Sequence, residues 1–423
     1  MCIVKYKLQN FKSYKNEAEF SFEALESEFK SENAFSVKLN CGRELRLLKT
    51  AVVYGANASG KSNLIWGLRA LCHYVTESRT FSPDKEIFAE PFALDEDTLQ
   101  SDVCMTLDFI VSGDYYEYHI EYNSKQFRKE ILTLVEEERK LVFSSGSGEI
   151  AFGEGWKSTT LDMSNLNILP NHLLLSELSL RPANQLQAIY RVFSSMVAEP
   201  VRETVNLKAK IDSVTTQFLK SDQSDLSDSI KEIIKSADLG IIGVKIIEHG
   251  EDDFKFPDSM PKELRNQIVD NNRWEYQFTH RGRSGKKFSL QIGEESTGTQ
   301  HAFTIGTLIL SVLSSGGMIA YDEMGMALHP QLFKLFVQMF CDVNANTHNA
   351  QLLFTSHDTS IVADNLMRAD QIWFTQKNEY GESELYSAQD FEDMKVHVPF
   401  EEFYRRGRFG ALPKVSKLIS GVR

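Results

Sequence analysis

Cysteine is scarce, with five residues in a chain of 423. Cys2, Cys41, Cys72, Cys104 and Cys341 are scattered, odd in number and without C-x-x-C spacing. That pattern argues against a disulfide framework and a cysteine-built zinc site, and it fits a reducing compartment. Long apolar runs are missing too. The most apolar stretch, Thr304 to Tyr321, is broken by Ser314-Ser315-Gly316-Gly317. It reads as a buried helix, a turn and a buried strand rather than a membrane span. No basic n-region followed by an apolar stretch opens the chain, so no signal peptide is expected. These features predict a cytoplasmic protein without membrane contact. Positive charge is in deficit: 46 Lys and Arg stand against 59 Asp and Glu, a formal net charge of −13. So acidic a surface does not suit indiscriminate nucleic-acid coating, although it leaves room for a local basic groove. No heptad pattern is sustained, which argues against a long coiled coil, and no internal repeat is evident.

What is present is ordinary globular composition, 42% hydrophobic and 25% charged. The length suggests two or three domains. Residues 1–150 read as strands around one helix. Val103 to Val111 and Tyr115 to Tyr122 alternate around Ser112-Gly113-Asp114, a hairpin pattern that Glu130 to Phe143 continues. Residues 151–237 change character. Leu173 to Glu199 is rich in Leu, Thr204 to Lys220 is polar and helical, and Ser229 to Ala237 is a short helix. This segment is expected to be a helical insertion between an N-terminal lobe and a C-terminal lobe, 238–423. In the latter, strands return at Ile241 to Glu248, and Glu251 to Asn272 reads as a charged surface excursion. Trp274 to His280 and Lys287 to Ile292 flank a basic turn. Helix and strand then alternate to Phe374, the pattern of a largely parallel, helix-covered sheet.

The strongest motif is Gly55-Ala56-Asn57-Ala58-Ser59-Gly60-Lys61-Ser62, which fits the P-loop pattern G-x-x-x-x-G-K-S/T. Thr50 to Tyr54 reads as a strand before it and Asn63 to Leu71 as the helix it opens. A chance glycine-serine turn would lack that setting. Backbone N–H groups and a helix N-terminus would face phosphates. Lys61 would reach the β/γ-phosphates and Ser62 would hold Mg²⁺. Gly55 and Gly60 would let the backbone approach without a Cβ. A carboxylate from elsewhere must complete the metal site. Met318 to Glu323 supplies it, as an apolar strand ending in Asp-Glu. Asp322 would bind Mg²⁺, and Glu323 would orient and polarise the attacking water. Gln351 to His357 is a further apolar strand ending at a histidine, 35 positions after Asp322. His357 would contact the γ-phosphate; a capping or core histidine is the alternative. The spacing predicts that this strand lies beside the Asp322 strand.

Glu295-Ser296-Thr297-Gly298-Thr299-Gln300 precedes a helix expected over His301 to Leu313, and alone would be a plain Ser/Thr cap. It also resembles the signature motif of the ABC/SMC-type ATPases, whose consensus begins Leu-Ser-Gly-Gly. Ser296 and Gly298 match, while Glu295 and Thr297 depart. Met326-Ala327-Leu328-His329 takes the place of that family's D-loop, with Ala327 and Leu328 matching. For the family's Q-loop glutamine, Gln100 is a candidate. The resemblance implies an α/β P-loop NTPase fold of the ABC/SMC head type, a mixed sheet with helices and a short helical insertion. It implies ATP and Mg²⁺ as ligands, and hydrolysis to ADP and phosphate. It also implies that Ser296 and Gly298 cap ATP bound to a partner subunit, so that heads sandwich nucleotides in a dimer or higher oligomer. The separation of 261 positions from Lys61 to Asp322 matches the split layout of SMC-like and RecF-like heads.

Leu8 to Tyr14, Asn57, the Gly-Lys-Ser-Asn run ending at Asn63, and Arg405 to Pro413 are more specific. They resemble the AAA-type, ABC-like ATPases of prokaryotic phage-defence operons, of Abi, Rlo, PARIS and OLD type. Only about 50 residues follow Phe374, too few for an OLD-type nuclease domain. The family expectation is a separate, nuclease-like effector protein. Two basic features could contact such a partner or a nucleic acid, although a solvated surface is the ordinary reading of charge runs. One is the turn with His280, Arg281, Arg283, Lys286 and Lys287. The other is the tail with Arg405, Arg406, Arg408, Lys414, Lys417 and Arg423, where Phe409 and Leu412 favour docking onto the protein's own head or a partner. Three functions therefore compete. They are a defence ATPase, a RecF/SMC-type ATPase that clamps DNA, and a module whose nucleotide is structural. Intact Lys61, Asp322 and Glu323 speak against the last.

Overall fold

Period-two alternation in the N-terminal third yields antiparallel strands. The computed structural model describes residues 1–156, 168–179, 185–200, 240–257, 259–391 and 406–410, with positions 212, 230, 232, 233, 235, 403 and 404. β1 (Cys2–Gln9) pairs with β2 (Ala18–Ser21), and β3 (Ala34–Lys38) with β4 (Glu44–Leu48). β5 (Thr50–Gly55) is buried along its whole length and belongs to another sheet. The chain then meanders through β6 (Val103–Val111), β7 (Asp114–Tyr122), β8 (Phe127–Val135), β9 (Arg139–Gly146) and β10 (Glu149–Phe152). These join β1 and β2 in one sheet ordered β10-β9-β8-β7-β6-β1-β2. The expected hairpin is β6–β7. Its turn residues Ser112 and Gly113 both have positive φ, +55° and +85°, as a two-residue turn matched to strand twist requires.

The leucines after residue 170 belong to the core beside this sheet. Leu173 to Glu199 is not one helical run. It forms the helices Leu174–Leu178 and Gln185–Ser195 and then a strand, β11 (Val197–Glu199). Leu174, Leu175, Leu178, Leu186 and Ile189 pack with Tyr118, Leu132 and Phe143. Buried Glu130 ties sheet to helix: it accepts the Tyr118 hydroxyl at 2.8 Å and the Leu174 and Leu175 N–H groups at 2.5 and 2.9 Å. Burial pushes its carboxyl up to about 7, against those three donors. The helices expected over Thr204 to Lys220 and Ser229 to Ala237 fall almost wholly outside the described residues.

Further along lie β12 (Ile241–Glu248), β13 (Trp274–Arg281) and β14 (Lys287–Gln291), a separate antiparallel sheet. The charged stretch before β13 carries a helix, Lys262–Asn271, with no buried residue. Then follow β15 (Met318–Tyr321), β16 (Gln351–Thr355), β17 (Ile372–Lys377) and β18 (Ser383–Ser387). With β11 and β5 they form a sheet ordered β11-β15-β16-β5-β17-β18. The first five strands are parallel and β18 is an antiparallel edge. Near-continuous apolar strands such as Thr50–Tyr54 and Gln351–Thr355 suit a parallel sheet covered on both faces.

The chain divides into two compact units. The first comprises Met1–Val201, Ser315–Met324 and Val337–Arg423, and holds the two larger sheets. The second comprises Arg202–Ser314 and Gly325–Phe336. There, Tyr276 and Phe278 of β13 pack their rings on Phe303 of the helix Thr297–Ser315, with centroids 5.0 and 5.4 Å apart. The tail docks onto the first unit itself. Phe409 is buried and stacks on Phe374 of β17 at 5.2 Å, and Tyr386 donates to the Phe409 carbonyl at 2.6 Å. Tyr404 stands beside both Phe374 and Tyr54, at 6.0 and 5.8 Å. Arg405, Leu412, Lys414, Lys417 and Arg423 lie outside the described residues.

Candidate active site

The parallel order of the sheet brings the motif ends together. β5 lies between β16 and β17, and β15 is next to β16. The P-loop leaves β5, Asp-Glu follows β15 and His357 follows β16, so all emerge at the carboxyl ends of adjacent strands. Ligands of open α/β sheets bind at such edges.

The loop opens the helix Lys61–Glu77, with Gly60 as N-cap at φ +121°. A Cβ there would also meet Ser383 Oγ at 2.6 Å. At Gly55 a Cβ would come within 2.5 Å of Ser59 Oγ and of the Thr375 carbonyl and hydroxyl oxygens. Both glycines are therefore demanded by protein neighbours as well as by the loop path. Lys61 is buried, and its ammonium donates to the carbonyls of Gly55 at 2.8 Å and Ala56 at 3.0 Å. Burial lowers its pKa, while the charges of Asp322 and Glu323 oppose that shift. Ser62 is half-buried and Asn57 is exposed at the tip of the loop. Asn63 donates its amide to Ser13 Oγ at 2.7 Å.

That last bond belongs to a bracket around the loop. Tyr14 donates to the Gly60 carbonyl at 3.2 Å. Ser383 Oγ lies 2.6 Å from the Ser59 carbonyl and 2.7 Å from Ser13 Oγ. Ser59 and Thr375 share a hydroxyl contact of 2.6 Å. The turn after β1 and the edge strand β18 thus both hold the P-loop.

Asp322 is buried, and its Oδ1 accepts the Thr355 hydroxyl at 2.5 Å. Its N–H donates to the Glu199 carbonyl of β11 at 3.0 Å. Glu323 is half-exposed and sits at φ +50°, a conformation that costs a non-glycine residue about 1 kcal/mol or more. Its N–H donates to Thr355 Oγ1 at 2.7 Å. His357 Nε2 lies 3.9 Å from Glu323 Oε1, and its ring is half-exposed. Burial lowers the His357 pKa and the Lys61 charge lowers it further, while Glu323 and Asp322 oppose both. At half exposure, His357 is not a core histidine. Gln100 is exposed at the end of the short helix Glu96–Leu99.

Ser296 and Gly298 belong to the second unit. The helix starts at Thr297, earlier than expected. Ser296 Oγ accepts the Thr299 N–H at 3.1 Å, which makes it a helix cap in this chain. A Cβ on Gly298 would meet the Ala327 carbonyl at 3.0 Å, and Ala327 has φ +63°. The segments around Gly298 and Ala327 are thereby packed closely against each other. His280 is not part of a free basic cluster, because its Nε2 lies 2.7 Å from buried Glu295 Oε1.

Residues 51–363 match the family described as "AAA domain, putative AbiEii toxin, Type IV TA system". The chain belongs to that family. Solved structures similar to this AAA domain include three SMC heads. An SMC head bound to the C-terminal winged-helix domain of ScpA is 12% identical, with 91% of this chain and 97% of that one covered at a TM-score of 0.47. The SMC head domain from Thermotoga maritima is 12% identical, with 92% and 99% covered at 0.40. An SMC head with extended coiled coil, bound to a ScpA C-terminal domain derived from Pyrococcus furiosus, is 11% identical, with 97% and 99% covered at 0.43. Among curated proteins, none matches the chain.

The residues of this AAA domain fit a magnesium nucleotide. A Cβ on Gly55 or Gly60 would collide with Ser59, Thr375 or Ser383, and the buried Lys61 ammonium is turned onto the loop between them. Ser62 and Asp322 offer the hard oxygens that Mg²⁺ prefers. Among the described residues, no group of three or more His, Cys, Asp or Glu could hold a metal ion. Mg²⁺ sites commonly use one or two carboxylates and take remaining ligands from phosphates and water. No helix among the described residues is long and apolar enough to cross a membrane. Sequence reading missed Thr355, Ser13 and Ser383 as site residues. The signal for Thr355 was its place at the end of β16, two residues before His357.

Proposed function

We propose that this AAA domain binds and hydrolyses ATP as the sensor or scaffold of an anti-phage defence system, controlling a separate effector through ATP-dependent assembly. The observation that carries the reading is the convergence of Lys61, Asp322, Glu323 and His357 at the ends of adjacent parallel strands. Lys61 would bind the β/γ-phosphates, with Gly55, Asn57, Gly60 and Asn63 shaping the loop. Ser62 and Asp322 would hold Mg²⁺, which would neutralise charge on the phosphate oxygens. Glu323 would orient and polarise the attacking water, and His357 would stand at the γ-phosphate. Ser296 and Gly298 would cap the nucleotide of a second subunit, using a helix N-terminus as an anion site. The family description as a putative toxin of a type IV toxin–antitoxin system favours a protein that works with a separate partner.

Static light scattering tests the assembly. A shift from monomer toward dimer or larger with ATP and Mg²⁺ is expected. Monomer at every ATP concentration would overturn the two-head scheme.

One feature favours a second reading, an ATPase that clamps DNA. The β13–β14 turn exposes Arg281, Arg283, Lys286 and Lys287 beside Phe288, which is 56% exposed. On that reading, duplex DNA binds tightly at low salt. Substituting Arg281 and Arg283 by Ala then weakens it and reduces the salt slope by about 2. Fluorescence anisotropy across a salt titration checks this; an unchanged slope removes the turn as a DNA contact.

A further inference from the structure

Thr355 closes β16, a strand buried along its whole length. Its hydroxyl makes two hydrogen bonds whose polarity is fixed. The Glu323 N–H can only donate, so Oγ1 accepts it, at 2.7 Å. The single hydroxyl hydrogen then goes to Asp322 Oδ1, at 2.5 Å. The Thr355 carbonyl accepts the next N–H, that of Met324, at 3.2 Å. Three successive residues after β15 thus hang from one threonine. The middle one, Glu323, is held at φ +50°, a region that non-glycine residues seldom occupy.

We propose that Thr355 is a positioning residue for the acidic pair. It engages Oδ1 of Asp322 and so leaves Oδ2 as the oxygen for a hard cation. It also fixes the backbone from which the Glu323 carboxylate reaches toward His357. The inference rests on the ATPase reading above. Valine matches threonine in shape but has no hydroxyl, so Thr355→Val removes both bonds and leaves the strand's packing nearly intact. Thr355→Ser keeps the hydroxyl.

The test titrates Mg²⁺ into the full chain saturated with ADP, by calorimetry, beside steady-state ATP hydrolysis. Partners that hold a metal-binding carboxylate typically carry about 10–100-fold in affinity or activity. Thr355→Val is therefore expected to raise the half-saturating Mg²⁺ roughly tenfold and to lower kcat roughly 10–100-fold, with KM for ATP changed by less than about threefold. Thr355→Ser should stay within about threefold of wild type on all three measures. If the valine variant loses its circular-dichroism signature of folding, Thr355→Cys takes its place, since a thiol is a weak donor of similar size. A folded hydroxyl-free variant with wild-type Mg²⁺ response and kcat overturns the inference, even if its melting temperature drops, and leaves the ATPase reading standing. A wild-type chain with no Mg²⁺-dependent ADP binding overturns the ATPase reading and this inference with it.

Discussion

Lys61→Ala abolishes nucleotide binding, with an expected loss of at least about 100-fold in ATP affinity, about 2.8 kcal/mol. The side chain is already committed to the loop it serves. It is 5% exposed, and its ammonium spans the Gly55 and Ala56 carbonyls. Little rotamer entropy remains to be lost when phosphate oxygens replace those carbonyls as acceptors. The new bonds join full charges and are stronger than the bonds to neutral carbonyls they replace. Burial lowers the lysine pKa, and Asp322 and Glu323 counter that shift. Lys61→Met separates charge from packing, because it keeps the aliphatic stem and removes the ammonium. Both variants should fail to bind in calorimetry. Retained affinity in the methionine variant would show that the ammonium is not the phosphate contact, and unchanged affinity in the alanine variant would refute the P-loop assignment.

What was legible in the sequence is what depends on neighbours in the chain. Strand, glycine loop and helix around Gly55 to Ser62 are local, and they stand as β5 and the helix Lys61–Glu77. The adjacency of β15 and β16 followed from one intervening helix, and the β6–β7 hairpin from its turn. Features set by distant pairing were hidden. Val197–Glu199 is a strand because it pairs with β15, although it ends a leucine-rich run that otherwise forms helices. The helix Lys262–Asn271 buries no residue and lies in a charged stretch, which is why it read as a surface excursion. Ser13 and Ser383 meet across 370 positions, and no spacing rule could join them at the P-loop. The hydroxyl of Thr355 gained its place from the register between two strands. Phe409 and Leu412 of the tail pointed to docking on the protein's own head or on a partner; Phe409 lies on Phe374 of its own chain.

Glu323→Gln separates binding from hydrolysis. Glutamine is nearly isosteric, and the backbone N–H that holds residue 323 to Thr355 is unaffected. Lys61, Ser62 and Asp322 remain, so ATP affinity should change by less than about threefold. What is lost is the carboxylate that would take or polarise a proton of the attacking water. Positioned general bases contribute about 10²–10⁴-fold, and hydrolysis should fall by that amount. The substitution also removes a negative charge 3.9 Å from His357 Nε2. That charge opposes the lowering of the His357 pKa by burial and by Lys61, so the histidine in the variant should titrate at lower pH than in wild type. Any part of the rate loss that came from His357 losing its proton would shrink as pH falls, whereas the part due to the missing carboxylate would not. If ATP joins two heads and hydrolysis releases them, the variant should accumulate as dimers or larger assemblies that persist after free ATP is removed. Phosphate release and light scattering on the same sample check both statements. A variant that still hydrolyses ATP at the wild-type rate would remove Glu323 from its proposed role. A variant that binds ATP, does not hydrolyse it and stays monomeric would keep the chemistry but disconnect it from assembly, and the signature segment at Ser296 would then be only a helix cap.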